Sequence, residues 1–204
     1  MHGAGVAGTT MDQVVDASHT SKSQLYHYFA DKEALVAAVI KFQVARVLEF
    51  QEPYLERLAS VADLRRWRDA VVWFVEEARG VNGCAVGSLS SELADRSELA
   101  RILIQAAFRS WESYLAAELR WMQDRSELDA GADPSELATG LMAAYQGGYL
   151  LSQAARSSRP MAMALDLALD SIEGRRVRGD RASERRADAV QARTAVTYSD
   201  LTVQ

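Results

Sequence analysis

Apolar residues recur at three- and four-residue steps through most of the chain, the spacing that gathers side chains onto one face of a helix. The longest such run lies between residues 32 and about 57, where Leu35, Val36, Val39, Ile40, Val44, Val47, Leu48 and Leu55 keep the rhythm. Pro53 lacks a backbone donor and is expected to kink or interrupt that helix near Gln51. Two shorter helices precede it. Thr10 is placed to cap a helix over 11–18, with Asp12 near its positive end and Met11, Val14, Val15 and Ser18 along one side. His19-Thr20 forms the turn. Ser21 then caps a second helix running to residue 29, in which Leu25 and Phe29, at i and i+4, bury one side. Lys22, Ser23, Gln24, Tyr26 and His27 are left facing outward. Asp31 is the next cap, and Lys32 stands at the start of the long helix, where a free N–H and a cation can share a phosphate.

Beyond residue 57 the same reading predicts Asp63 capping a helix over 64–79, a glycine-punctuated loop through Gly80, Gly83 and Gly87, and a short helix over 88–94. Ser97 opens a long helix to about 126 that carries Ile102, Leu103, Trp111, Tyr114, Leu115 and Leu119. Asp133-Pro134, a cap followed by proline at the first helical position, opens another to about 156. Pro160 opens the last, over 161–173. The predicted fold class is therefore all-α. Two short helices joined by a tight turn form a helix-turn-helix unit over 1–46. A helical domain follows over 47–173, entered through the long helix, with a polar, arginine-rich tail over 174–204 that is expected to be disordered.

Composition narrows the function. The chain has 204 residues and a net charge of −5. Residues 1–50 carry 4 basic and 5 acidic side chains, so any nucleic-acid contact comes from a few placed groups and not from a basic field. The single Cys84 excludes an intramolecular disulfide and a cysteine-rich metal site, and suits a reducing cytoplasm. Packing, not redox sensing, is its expected role. No apolar run reaches the roughly 20 residues of a membrane span. There is no nucleophile elbow, no His-Glu-x-x-His, no phosphate loop and no diagnostic acid/base pair, which argues against an enzyme. No cofactor and no metal is implied.

The motif Gly8-Thr9-Thr10-Met11-Asp12-Gln13-Val14, followed by Ser21-Lys22-Ser23-Gln24-Leu25-Tyr26-His27-Tyr28-Phe29-Ala30-Asp31-Lys32-Glu33-Ala34-Leu35, resembles the DNA-binding domain of TetR-family transcriptional regulators. The later stretches 83–89 and 145–151 are similar to the LmrA/YxaF-like branch of that family, extending the resemblance over 8–173. It implies that residues 21–29 enter the major groove of a double-stranded operator, with Tyr28 and Lys32 on phosphates. From their chemistry, Gln24 and Lys22 suit adenine and guanine edges, while Ser23, Tyr26 and His27 suit bases or backbone. Thr10 and Ser21 complete the DNA-binding set. Only seven residues precede Gly8, so the first helix of the family's domain is expected to be missing. Leu25, Phe29, Val14 and Val15 would then lose part of their cover. At the turn, the family's glycine is replaced by His19, which carries a conformational cost if φ is positive.

The resemblance also implies a cytoplasmic homodimer that responds to a small-molecule effector. Trp67, Trp73, Phe74, Phe108, Trp111, Tyr114, Tyr145 and Tyr149 are the candidate pocket residues, suited to a small apolar or aromatic ligand. Gly140, Gly147 and Gly148 inside one helix need compensation, which close approach of a partner helix supplies. The expected dimer seam is Leu141, Ala144, Gly148, Leu151 and Ala155 with Met163 and Leu167. The function expected is an effector-released repressor; the alternative is a dimeric small-molecule-binding protein that has lost DNA binding.

Overall fold

A computed structural model describes residues 5–55, 58, 60–81 and 83–175. It is all-α: among the described residues there are eight helices and no strand. In order they are α1 (Met11–Ser18), α2 (Lys22–Tyr28), α3 (Lys32–Leu55), α4 (Val61–Glu77), α5 (Ala85–Leu93), α6 (Glu98–Asp124), α7 (Pro134–Ala155) and α8 (Arg159–Glu173). The tail expected over 174–204 lies, apart from Gly174 and Arg175, outside the described residues.

The two N-terminal caps form as their sequences require. The Thr10 hydroxyl accepts from the Gln13 amide while the Gln13 side chain accepts from the Thr10 amide, at 3.2 and 2.8 Å. Ser21 and Gln24 repeat the arrangement at 3.1 and 2.9 Å. Two successive capping boxes thus fix the start of each helix, each satisfying two otherwise free donors. His19 closes α1 in the left-handed region at φ 55, the position where the turn was expected to need glycine.

Three boundaries differ from expectation. Pro53 does not interrupt α3, which runs on to Leu55; the proline sits in the last turn, near the end of the helix. Ser60, not Asp63, caps α4, its hydroxyl accepting from the Asp63 amide at 3.3 Å and donating to the Asp63 carboxylate at 2.8 Å. α5 starts at Ala85, with the Cys84 sulfur in the cap position 3.5 Å from the Gly87 amide, so part of the expected glycine loop is helical.

The core lies where α3, α4, α6, α7 and α8 converge. Leu64, Trp67, Val71, Leu115, Leu165 and Leu169 have essentially no exposure. α7 and α8 pack at Gly148, where an added Cβ would lie 2.7 Å from the Met161 sulfur and 3.0 Å from its Cα. Ser152, fully buried, accepts from the Met161 amide at 3.0 Å and fastens the same hairpin. α8 is held to α4 by charge: Arg65 reaches Asp166, Asp170 and Glu173 at 3.2, 2.6 and 3.1 Å, and Arg68 reaches Asp166 at 2.7 Å. The bonds to Glu173 and then Asp170 push the Arg65 pKa further above its ordinary value.

The helix-turn-helix is packed more thinly. α1 has no fully buried residue, α2 has only Leu25, and Val14, Val15 and Phe29 are half-buried. Part of its support comes from residues 5–9, which form a turn with Val6 buried against the core. The Ala7 amide donates to the Glu92 carboxylate of α5 at 2.7 Å, and the amides of Ala7 and Val6 lower the Glu92 pKa.

His19→Gly should stabilise the reading unit by about 0.5–1 kcal/mol, because glycine enters the left-handed region without a Cβ penalty. Slower amide exchange in α1 and α2 is the readout, and faster exchange would refute it. Gly148→Ala, although it improves helix propensity, should lower stability by about 1–3 kcal/mol as α8 is pushed off α7. Thermal melting checks this, with Gly140→Ala as the control, since a Cβ there meets nothing within 4 Å.

Candidate nucleic-acid interface and effector cavity

The outward face of α2 is polar and open. Lys22, Ser23, Gln24, Tyr26, His27 and Tyr28 are all exposed, and Tyr28 retains 77% of its surface. The His27 and Tyr28 rings meet edge to face with centroids 5.2 Å apart. Seven residues of helix with a single buried anchor, Leu25, leave this face free to enter a groove. Asp31 caps α3 by accepting from the Ala34 amide at 2.8 Å, and Lys32 follows at the first helical position.

Some of these side chains already have partners. The Gln24 carbonyl oxygen already accepts from the Ser21 amide, so the two-point adenine contact expected of it would share that oxygen with the cap. Lys22 is paired with Asp12 at 2.9 Å, and this hydrogen bond raises its pKa. Thr10 and Ser21 act first as caps. Ser23, Tyr26, His27 and Tyr28 carry the uncommitted polar groups of the exposed face.

A cavity of about 320 Å³ opens between α5, α6 and α7. Phe108, Tyr149 and Leu150 supply its large apolar and aromatic lining, and Ser88, Ser90, Ser91, Gln146 and Gln153 its polar lining; Cys84, Gly87 and Gly147 complete it. No charged side chain lines it. Of the aromatic residues expected to line a pocket, Phe108 and Tyr149 do. Trp67, Trp111 and Tyr145 are instead packed solid behind Tyr149. Tyr145 stacks on Trp67 at 5.8 Å and meets Trp111 and Tyr149 edge to face, each at 4.9 Å. Trp73, Phe74 and Tyr114 face outward, at 63, 42 and 57% exposure, and Phe74 packs on Phe50 of α3. Periodicity placed these three on helices but left open which faces the bundle would cover. The serines and glutamines went unnoticed because nothing in their spacing marks a site.

The expected seam also divides. Leu141 and Gly148 are buried within the chain itself, so the compensation for Gly148 comes from Met161 of the same chain. Ala144 is half-buried against the core. Leu151, Ala155, Met163 and Leu167 remain exposed, joined by Leu150 and by Gly140 and Gly147, whose missing Cβ positions face open space.

Comparison with known proteins agrees with this architecture. The family description "Bacterial regulatory proteins, tetR family" matches residues 1–39, and "Tetracyclin repressor-like, C-terminal domain" matches residues 55–168. The chain is 24% identical over 168 residues to the HTH-type transcriptional repressor DhaR of Mycobacterium sp. (strain GP1), covering 82% of this chain and 84% of that protein. It is 26% identical over 160 residues to the HTH-type transcriptional regulator YxaF of Bacillus subtilis (strain 168), covering 77 and 81%. The crystal structure of a regulatory protein TetR from Rhodobacter sphaeroides shares the fold with a TM-score of 0.72 at 22% identity, covering 81% of this chain and 89% of that one. The C-terminal match alone spans more than half of the chain, and with the N-terminal match it shows that this protein belongs to the TetR family of transcription regulators, which are not enzymes.

Proposed function

We propose that the protein is a dimeric repressor, acting in the cytoplasm where its operator lies, that leaves the DNA when a small neutral molecule fills the cavity between α5, α6 and α7. The observation that carries this reading is the continuity of α3. One helix of 24 residues starts at the reading unit and runs past the cavity's aromatic backing, where Gln51 is fully buried. A rigid element rooted in both places transmits a displacement at one end to the other. The effector acts only as far as it binds the released and DNA-bound states differently.

The ligand expected from the sequence was apolar or aromatic; the cavity adds a polar requirement. Phe108, Tyr149 and Leu150 suit an apolar or aromatic body, and the serine hydroxyls and glutamine amides suit an uncharged hydrogen-bonding end. A charged ligand would enter without a counter-charge, at a high desolvation cost.

Dimerisation follows from the uncovered face of α7 and α8. Leu150, Leu151, Met163 and Leu167 expose most of their surface, and Gly140 and Gly147 permit close approach of a second copy. Two copies would present two α2 helices to half-sites about one helical turn apart, roughly 34–36 Å. One short helix reads too few bases to be selective alone.

Gel-shift against a duplex selected from a random library by the protein itself tests DNA binding, and failure to enrich any sequence would sink the proposal. Tyr28→Phe and Lys32→Ala should weaken binding to every sequence alike, and Lys32→Ala, which removes a cation, should also lower the salt slope by about 1. Gln24→Ala should relax sequence preference and, by opening the capping box, also loosen α2 by about 0.5–1 kcal/mol. The double change Leu151→Glu with Leu167→Glu should give a folded monomer in sedimentation and reduce operator affinity roughly tenfold or more. A dimer that survives both charges would place the seam elsewhere.

A further inference from the structure

Behind the cavity wall, a line of buried polar groups runs through the apolar core from α7 to α3 and on to α4. The Trp67 indole N–H donates to the Gln51 side-chain carbonyl, and both residues are fully buried. The Gln51 amide donates in turn to the Tyr145 hydroxyl at 3.0 Å. The Tyr145 ring in turn meets the Tyr149 ring edge to face, with centroids 4.9 Å apart. Tyr149 is the member that lines the cavity; Gln51, Trp67 and Tyr145 do not. The donors therefore point one way, from α4 through α3 to the Tyr145 hydroxyl of α7, and the Tyr149 ring carries the line on to the cavity surface.

Such an arrangement is costly to leave incomplete, because each buried donor without an acceptor loses its solvation. Burial raises the Tyr149 pKa to about 12, so its hydroxyl keeps its proton and can donate. Gln51 is the only member on α3, and it lies in the part of that helix farthest from the reading unit. Displacing it would open both of its hydrogen bonds at once.

We propose, building on the reading of this chain as an effector-released regulator, that Tyr149, Tyr145 and Gln51 form the relay that couples the cavity to α3, and that the effector engages it through an acceptor oxygen of a neutral carbonyl group placed against the Tyr149 hydroxyl. An acceptor there turns the Tyr149 ring towards the cavity. Because that ring packs edge-on against Tyr145, the Tyr145–Gln51–Trp67 series must then readjust, and with it the seat of α3. Tyr145 and Gln51 are positioning residues: they touch no ligand and act through Tyr149. The chemistry selects an occupant with a carbonyl next to an apolar body, because Phe108 and Leu150 line the same cavity as Tyr149.

The probe is N-ethylmaleimide. Cys84, the only cysteine in the chain, lines the cavity. Its thiolate adds across the maleimide double bond, the β-carbon bonding to sulfur and the α-carbon taking a proton from solvent. No oxidant is needed, and the product leaves two imide carbonyls in the cavity. The full-length protein is alkylated, the adduct is verified by intact mass with Cys84→Ser as the unreactive control, and affinity for the selected duplex is measured before and after.

In the unsubstituted protein, alkylation should weaken DNA binding roughly tenfold. In Tyr149→Phe, Tyr145→Phe and Gln51→Met, alkylation should change it less than about threefold, while the unalkylated variants still bind the duplex. Tyr149→Phe removes only the cavity-facing hydroxyl and leaves the interior bonds made, so it remains informative if the other two melt early. Equal responses in Tyr149→Phe and the unsubstituted protein would overturn the relay. So would an adduct that leaves DNA affinity unchanged, or a Cys84 that the reagent does not reach. Failure of the unmodified protein to select any duplex would instead overturn the regulator reading, and the two failures are distinguishable in one titration.

Discussion

Tyr145 is the residue around which the bundle closes. Its ring lies against Trp67 of α4, Trp111 of α6 and Tyr149 of its own helix, and its hydroxyl accepts from Gln51 of α3. Four helices are thereby held at one point, at a place where Tyr145, Gln51 and Trp67 are all buried. Hydrophobic burial supplies most of the cohesion, but it is non-directional and would tolerate several packings. The hydrogen bonds to Gln51 do not tolerate them, since each wrong packing strands a buried donor. The register of α3 against the bundle is set by this polar point in an apolar core.

The two ends of the molecule are built on different physics. In the bundle, large side chains interdigitate and the α7–α8 hairpin closes on Gly148 and Ser152. Arg65 adds a charged clamp from α4 to three carboxylates of α8. The reading unit has little core; its geometry is set by caps, with a capping box at the start of each helix and a left-handed residue closing the turn between them. Local hydrogen bonds keep such a unit in shape while leaving its outer face unburied, as contact with another molecule requires. The Glu92 bond to the Ala7 amide ties the beginning of the unit back to the bundle.

Much of this was legible in the residues. Capping depends on side chains two to four positions apart, and Thr10, Ser21, Asp31, Ser97 and Asp133 all cap where the sequence places them. The exposed face of α2 follows from Leu25 and Phe29 sharing one side. Even the strain at His19 could be anticipated from the missing glycine. The misreadings have local causes as well. Ser60 was passed over for Asp63, though the two are partners in one cap. Pro53 was read as a break, although the final turn of a helix absorbs it.

What the chain determined by itself, then, was its class, the order and caps of its helices and the motif that ties it to its family, because these depend on neighbours in sequence. Tertiary structure alone decided which aromatic residues became core and which became wall. Trp67 and Trp73 sit six residues apart on the same helix, one fully buried and the other largely exposed. Gly147 and Gly148 are adjacent, yet one faces open space and the other is pressed against Met161. Nor could periodicity bring Gln51 to Tyr145 across 94 positions or gather serines and glutamines around a cavity. Burial belongs to a pair of surfaces, and a sequence read along one dimension shows only one surface at a time.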